Sequence, residues 1–402
     1  MSTILSIIIV CVILGIIAIY IFNYSPVRKQ NIRDLYTEGL DLLIAGRRKE
    51  AYRNFKSIID KDTNSIGAYI KLGQVVREGG NPKQALKIHK FLVLRKNLTK
   101  YEKVELHKNI SLDYYKLNEI NLSISECEKV LKIDKLNEWA LSNLVKFHIE
   151  SYNWQSAGSF LKRLQDLKKT PNFHQLALFK IQEGRSLVQK GEYQDARNAY
   201  ESALNFDNEL MASYYFIGNS YSAESGIAYQ DAVKAGNSTE DGAMHMERAR
   251  QLLSKAIPMW IRYCEGRPEQ SWMVIQLIKD ALFELDRYSE FENILKNILQ
   301  EDDSNIDAIA NLADIYAQRG ELNEALDLID SKLNNDDKSL LVKLIRLKLE
   351  MRRGQSNQDI LNNLDEIIHF LVTDEQFQKY KNSNRDSDIV WLYENGKEKI
   401  DL

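Results

Sequence analysis

GLDLLIAGRRKEAYRNFKSIIDKDTNSIGAYIKLGQVVREGGNPKQALKIHKFLV, residues 39–93, decides the fold. Two glycines, Gly39 and Gly73, stand in equivalent places, and each is followed twelve positions on by an alanine, Ala51 and Ala85. Leu40, Leu43, Tyr52, Phe55 and Ile59 recur at helical spacing between them. Gly46 marks a turn between two helices, and Gly79-Gly80-Asn81-Pro82 reads as a helix stop followed by a proline-primed start. A period of about 34 residues, with small residues at fixed places, describes a helix–turn–helix unit that buries its apolar face against copies of itself. The small residues let the two helices of a repeat, A then B, approach closely.

The same ruler extends along the chain. The first repeat covers about 32–62 and the second about 65–97. Ser111 and Ser123 mark a third, displaced by about four residues added around 98–101. Val145 and Ala157 mark a fourth, and Gly184, Gly191, Ala196, Tyr200 and Ala203 a fifth. Gly218 opens a sixth, and Lys279 with Phe291 and Ala313 with Ala325 mark two more. The sixth is interrupted: its helix B is expected only around Ala256–Trp260, closed by Pro268. Residues 223–247, including AGNSTEDGAMHM, read as an insertion in the inter-helix turn. Residues 338–371 read as capping helices that shield the last apolar face. The polar tail, 372–402, carries Asn395-Gly396 between the apolar run Ile389–Tyr393 and an alternating run through Lys397, Lys399 and Ile400. That pattern predicts a small β-hairpin, or a tail that orders on binding. The expected organisation is an anchor at 1–24, a basic juncture at 25–31, repeats at 32–222, the insertion at 223–247, further repeats at 248–337, the cap and the tail.

Composition narrows the function. Five prolines in 402 residues suit long uninterrupted helices. A net charge of −3 offers no basic stripe for nucleic acid. The six histidines lie far apart, and Cys11, Cys127 and Cys264 are unpaired in pattern, so neither a metal site, a cofactor nor a disulfide framework is expected. ILSIIIVCVILGIIAIYIF, residues 4–22, is free of charge. As a helix it would reach roughly 28 Å, against a hydrocarbon core of about 30 Å. No Lys or Arg precedes it and no A-x-A cleavage pattern follows, so it reads as a retained anchor rather than a signal peptide. Tyr20 and Tyr24 suit a membrane interface, and Arg28, Lys29 and Arg33 follow the span, which places the body in the cytoplasm on the inner membrane.

Taken together, the repeats have the period of the tetratricopeptide repeat, and the expected fold class is an all-α tetratricopeptide α-solenoid behind one N-terminal transmembrane helix. The span, the basic juncture and the run LGQVVREGG followed by ALKIHKFLV, with His89 in helix B, resemble the lipopolysaccharide assembly protein B family. The resemblance covers roughly residues 1–345. It implies a cytoplasm-facing, non-enzymatic adaptor that brings cytoplasmic clients to a membrane complex, linking lipopolysaccharide synthesis to a membrane-bound AAA protease. One feature departs from that family, whose members end in a rubredoxin-like knuckle built from two Cys-x-x-Cys pairs. This chain has no cysteine after Cys264, and a tetrahedral structural site needs four ligands, so no such knuckle can form.

The concave face of such an array is lined from helix A at fixed offsets from the small residue. Those offsets select Tyr36, Gln74, Arg77, Lys108, Tyr115, Lys146, Arg185 and Asn219. Several are basic, which suits an acidic or carboxylate-ended partner segment; as ordinary helix residues they would simply be solvated. Tyr214-Tyr215-Phe216 reads as packing between repeats, and Cys127 and Cys264 as small core residues. His89, His107 and His148 have no patterned nucleophile or carboxylate to make them catalytic bases. Two other readings remain open: a scaffold for another envelope assembly with its repeats outside the cytoplasm, and an enzyme with residues 223–247 as a lid.

Overall fold

The computed structural model describes residues 31–236, 239–303, 305–333, 340–354, 359, 362–363, 366–367 and 386–396. The apolar run at 4–22 and the basic juncture lie outside these, apart from the last residue of the juncture. Among the described residues no helix is long and apolar enough to cross a membrane, and none lies in a strand. The contacts divide the chain into two compact bodies, residues 1–147 and 148–402.

The first body holds α1 (Ile32–Ile44), α2 (Arg48–Lys61), α3 (Ile66–Glu78), α4 (Pro82–Val93), α5 (Lys100–Lys116), α6 (Ile120–Ile133) and the start of α7 (Glu138–Glu150). Helices A and B of each repeat touch where the small residue stands. A Cβ on Gly73 would come within 2.3 Å of the His89 ring, so only glycine permits this crossing. Ser111 fills the equivalent place in the third repeat, its hydroxyl bonded to the Ser123 carbonyl at 3.0 Å and touching the Cys127 sulfur at 3.2 Å. The four added residues before the third repeat become an extra helical turn: α5 has 17 residues where α3 has 13. A capping box opens it, the Thr99 hydroxyl accepting from the Glu102 amide while the Glu102 carboxylate accepts from the Thr99 amide. The inter-helix turns need left-handed backbone, supplied by Gly46 (φ 73°) and, in the third repeat, Asn118 (φ 61°), a residue type that tolerates it.

The second body continues with α8 (Trp154–Lys168), α9 (Phe173–Gln189), α10 (Tyr193–Phe206), α11 (Ala212–Ala235), α12 (Glu240–Gly266), α13 (Trp272–Glu284), α14 (Phe291–Glu301), α15 (Ile306–Arg319), α16 (Leu322–Leu333) and α17 (Leu340–Arg353). A large core within it includes the fully buried Trp260, Tyr200, Tyr263 and Phe291. A phenylalanine buried in this way contributes roughly 1.5–3 kcal/mol by leaving water. In the fifth repeat Gly184 opposes Tyr200.

Two expectations change here. Residues 223–247 are not a turn insertion: α11 continues to Ala235 and α12 begins at Glu240, so the added sequence lengthens both helices. Its small residues are a helix contact, in which buried Ala228 packs with Ala249 and Leu252. The Ser225 hydroxyl donates to the Ala249 carbonyl at 2.7 Å. The tail is not a hairpin where it is described: Ser387–Glu394 is helical, and is α18. Asp386 caps its start by accepting from the Asp388 and Ile389 amides, and Ile389 and Leu392, three apart, are both buried. A helix places those two on one face, whereas a strand would have pointed them to opposite faces. Asn395, the hairpin's expected turn residue, closes the helix instead.

Candidate functional site

In the first body the residues selected from sequence are engaged within their own repeat or with the neighbouring one. Tyr36 stands edge-on to Phe55 at 5.7 Å, and burial, then the nearby Tyr101 and Glu105, raise its hydroxyl pKa. Gln74 bridges Lys71 and Glu78. Lys108 bonds Glu105 at 2.9 Å and lies over the Trp139 ring. Tyr115 stacks on Phe147 at 4.9 Å with the Lys146 ammonium 4.4 Å from its ring centre. Arg77 turns inward: it is 8% exposed and donates to Asp113 at 2.9 Å and to Asn109 at 3.2 Å. Asp113 also takes the His89 Nδ1 at 2.5 Å, while His89 Nε2 faces the Ile70 carbonyl at 3.1 Å. This buried trio joins the second and third repeats and is fully occupied in doing so.

In the second body Asn219 accepts from the Trp260 indole at 3.0 Å, which fixes the sixth repeat internally. Arg185 meets a segment from far along the chain. α18 lies against α9. His174, Leu178, Gln182 and Arg185 follow one another at spacings of four, four and three, a single stripe of α9. Gln182 donates to the Leu392 carbonyl at 2.6 Å, and the Arg185 guanidinium donates to the same oxygen. Arg185 also lies 4.4 Å from the centre of the Tyr393 ring, which in turn meets Phe216 of α11 at 6.0 Å. Trp391 stacks on Phe179 at 6.2 Å and meets the edge of Trp154 at 6.5 Å. At the other end Asp388 bonds His174 at 3.1 Å, and Asp386 lies 3.4 Å from the Tyr263 hydroxyl and 3.8 Å from Arg267.

The charges at that end are coupled. Burial works to lower the His174 pKa, but its bond to Asp207 and the charges of Asp388 and Asp207 raise it. Burial, then the charge of Asp386, raises that of Asp388 against the opposing pull of His174. Gln182, His174 and Trp391 were not selected from sequence. The i, i+4, i+8 stripe through His174 and Gln182 was visible, but Gln182 and its partner Leu392 are 210 residues apart.

Other chemistry-bearing groups are packed away. Burial pushes the Cys127 thiol up to about 11 and the Cys264 thiol up to about 12, far from a reactive thiolate. Among the described residues there is no cluster of three or more His, Cys, Asp or Glu that could hold a metal. A cleft of about 510 Å³ lies beside the lengthened helices, lined by Ser225, Arg250, Asp280 and Glu284 among others, with no histidine or cysteine in its lining.

Comparison with known proteins agrees with the repeat reading. Residues 282–349 match the family model of the tetratricopeptide repeat, and the helical hairpins that precede them follow the same helix–turn–helix plan of an α-solenoid. It is similar to lipopolysaccharide assembly protein B of Escherichia coli K12, with 20% identity over 211 residues, 44% of this chain and 54% of that protein. The O157:H7 counterpart matches to the same extent. The chain thus spans about half the length of the curated relatives it matches. Similar solved structures include a tetratricopeptide repeat protein from Parabacteroides merdae (16% identity, 57% of this chain and 93% of that one, TM-score 0.32). Another is a thermophilic tetratricopeptide repeat protein from Thermus thermophilus (15%, 47% and 98%, TM-score 0.31).

Proposed function

We propose that this chain is a non-enzymatic adaptor whose helix A faces bind segments of client proteins. The observation that carries this reading is the occupied A face of the fifth repeat. There a short helix is held through a backbone carbonyl, ring contacts and an ion pair, the manner in which helical segments dock into grooves. The finer reading is that residues 4–22 tether the adaptor to the inner membrane with its body in the cytoplasm, supported by the apolar run and the basic residues after it. Its setting would be lipopolysaccharide or envelope assembly and its regulation, with cytoplasmic clients brought to a membrane complex such as an AAA protease. The similarity to lipopolysaccharide assembly protein B supports that setting. Crosslinking in intact membranes, followed by mass spectrometry, tests it. Recovery of an envelope-synthesis enzyme or a membrane protease is expected; recovery of neither would sink the envelope setting.

A further inference from the structure

We propose that the A face of the fifth repeat is a receptor site for a short amphipathic helix of a partner protein, and that α18 is its resident competitor. This rests on the adaptor reading and gives it a site and a partner chemistry.

The polar part of the site reads the end of a helix rather than a particular side chain. The last four carbonyls of any α-helix lack intrahelical partners, and the Leu392 carbonyl is one of these in α18, which ends at Glu394. Gln182 and Arg185 both aim at it. A guanidinium is also the favoured charge at the negative end of the helix dipole. Any helix that arrives in this direction presents the same group.

The apolar part supplies selectivity. Ile389 and Leu392 are the two buried anchors, three positions apart. Trp391 fits between Trp154 and Phe179, and Tyr393 fits beneath Arg185 and beside Phe216. At the helix start, the acids Asp386 and Asp388 meet Arg267 and His174. The site therefore fits a helix of about two turns with an acidic N-cap, aliphatic anchors three apart, and an aromatic residue on either side of the second anchor.

Ile389 and Leu392 join the core of the second body, and three observations mark α18 as a separable part of it. α18 has only eight residues, and a helix this short is not stable alone in water, so its order comes from the site. α17 ends at Arg353 and α18 starts only at Ser387, too far along to be the next hairpin of the array. A cavity of about 240 Å³ shares the walls Trp154 and Phe179 with the Trp391 contact and is otherwise lined by residues such as Gly158, Lys162 and Phe206, with no residue of α18.

The test uses the full chain and a fluorescein-labelled peptide, DSDIVWLYENG, the sequence of residues 386–396. Leu392→Asp puts a charge at a fully buried anchor and should release α18. The native chain is expected to bind the peptide at least tenfold more weakly than the Leu392→Asp chain does. Adding Arg185→Ala to Leu392→Asp should weaken that binding by tenfold or more. Absence of peptide binding by a folded Leu392→Asp chain would overturn the proposal, as would binding indifferent to Arg185→Ala. If Leu392→Asp does not fold, amide hydrogen exchange of the native chain decides. Amides of 389–395 should exchange at least tenfold faster than those of 178–185. Exchange of both segments at one common rate would make α18 permanent core and end the idea. Either failure would leave client crosslinking unaffected, so the site and the adaptor reading fall separately.

Discussion

At the scale of single residues, the first body is held at two crowded places. A side chain on Gly73 would collide with the His89 ring, whose own nitrogens are both committed. Gly73→Trp is therefore expected to lower stability by at least the roughly 1–3 kcal/mol typical of overpacking. Urea denaturation of the mutant and the parent measures it, and an unchanged midpoint would show that the helices can spread without cost. Asp113 is the shared partner of two buried side chains, the Arg77 guanidinium and the His89 ring. Asp113→Ala strands both, and breaking such a pair typically costs about 3–5 kcal/mol. Asp113→Asn, which keeps an acceptor for Arg77, should cost clearly less, and equal losses in the two melts would refute a charge-based role. Part of this was legible in the chain. Gly73 and Ala85 announced the close crossing. The inward turn of Arg77 was not legible, because its acceptor lies 36 residues on, in the next repeat, and nothing local in the sequence pairs the two.

At the scale of elements, α11 and α12 show where the ruler could have been read further. Ser111 and Cys127 meet across 16 residues, and Gly39 with Phe55, Gly73 with His89, and Gly184 with Tyr200 keep that spacing. Gly218 instead meets Trp260, later than the ruler allows by more than two dozen positions. That excess measures the insertion directly. Its Gly and Ser content looked like a loop because closely packed helices and loops both favour small residues. The tail was misread for a related reason: Ile-Val-Trp-Leu-Tyr is strand-prone by local preference, and its contacts with α9 override that preference. The same contact predicts a pH response. Docking adds the Asp388 charge and bond to a His174 that Asp207 already holds up, and it buries Asp388, whose own pKa is raised, so this contact favours proton uptake. For a raised histidine, the stabilisation is complete below its ordinary value of about 6.5 and fades as pH rises through the docked value. The raised Asp388 acts in the same direction, in the lower range just above ordinary carboxylates. Exchange of the 389–395 amides, corrected for intrinsic rates, is thus expected to quicken relative to α9 as pH rises above the ordinary histidine value of about 6.5. His174→Gln should flatten that dependence. A native profile already flat, or inverted, would remove the ion pair from the account of docking.

At the scale of the whole molecule, the regular period made the architecture readable, because each repeat satisfies its apolar face against a neighbour and leaves the same marks each time. The division between Phe147 and His148 was not readable, since it falls inside α7, where no turn residue or change of composition marks it. That local economy also sets what the apolar N-terminal run should and should not do. Repeats stabilised by their neighbours do not draw their fold from lipid, so deleting residues 1–24 is expected to leave helical content and cooperative unfolding unchanged. Under the proposed membrane tethering, what the deletion removes is proximity. A tether confines the adaptor and a membrane partner to one surface, where linked sites meet at effective concentrations up to about the millimolar range without any added contact. The shortened chain should therefore bind its client as tightly as before in solution and still fail to replace the full chain in a cell at native expression. Circular dichroism, client affinity and complementation separate the three effects. Full complementation by the shortened chain would show that the repeats act without a tether, and loss of helical content would show that the run is part of the fold.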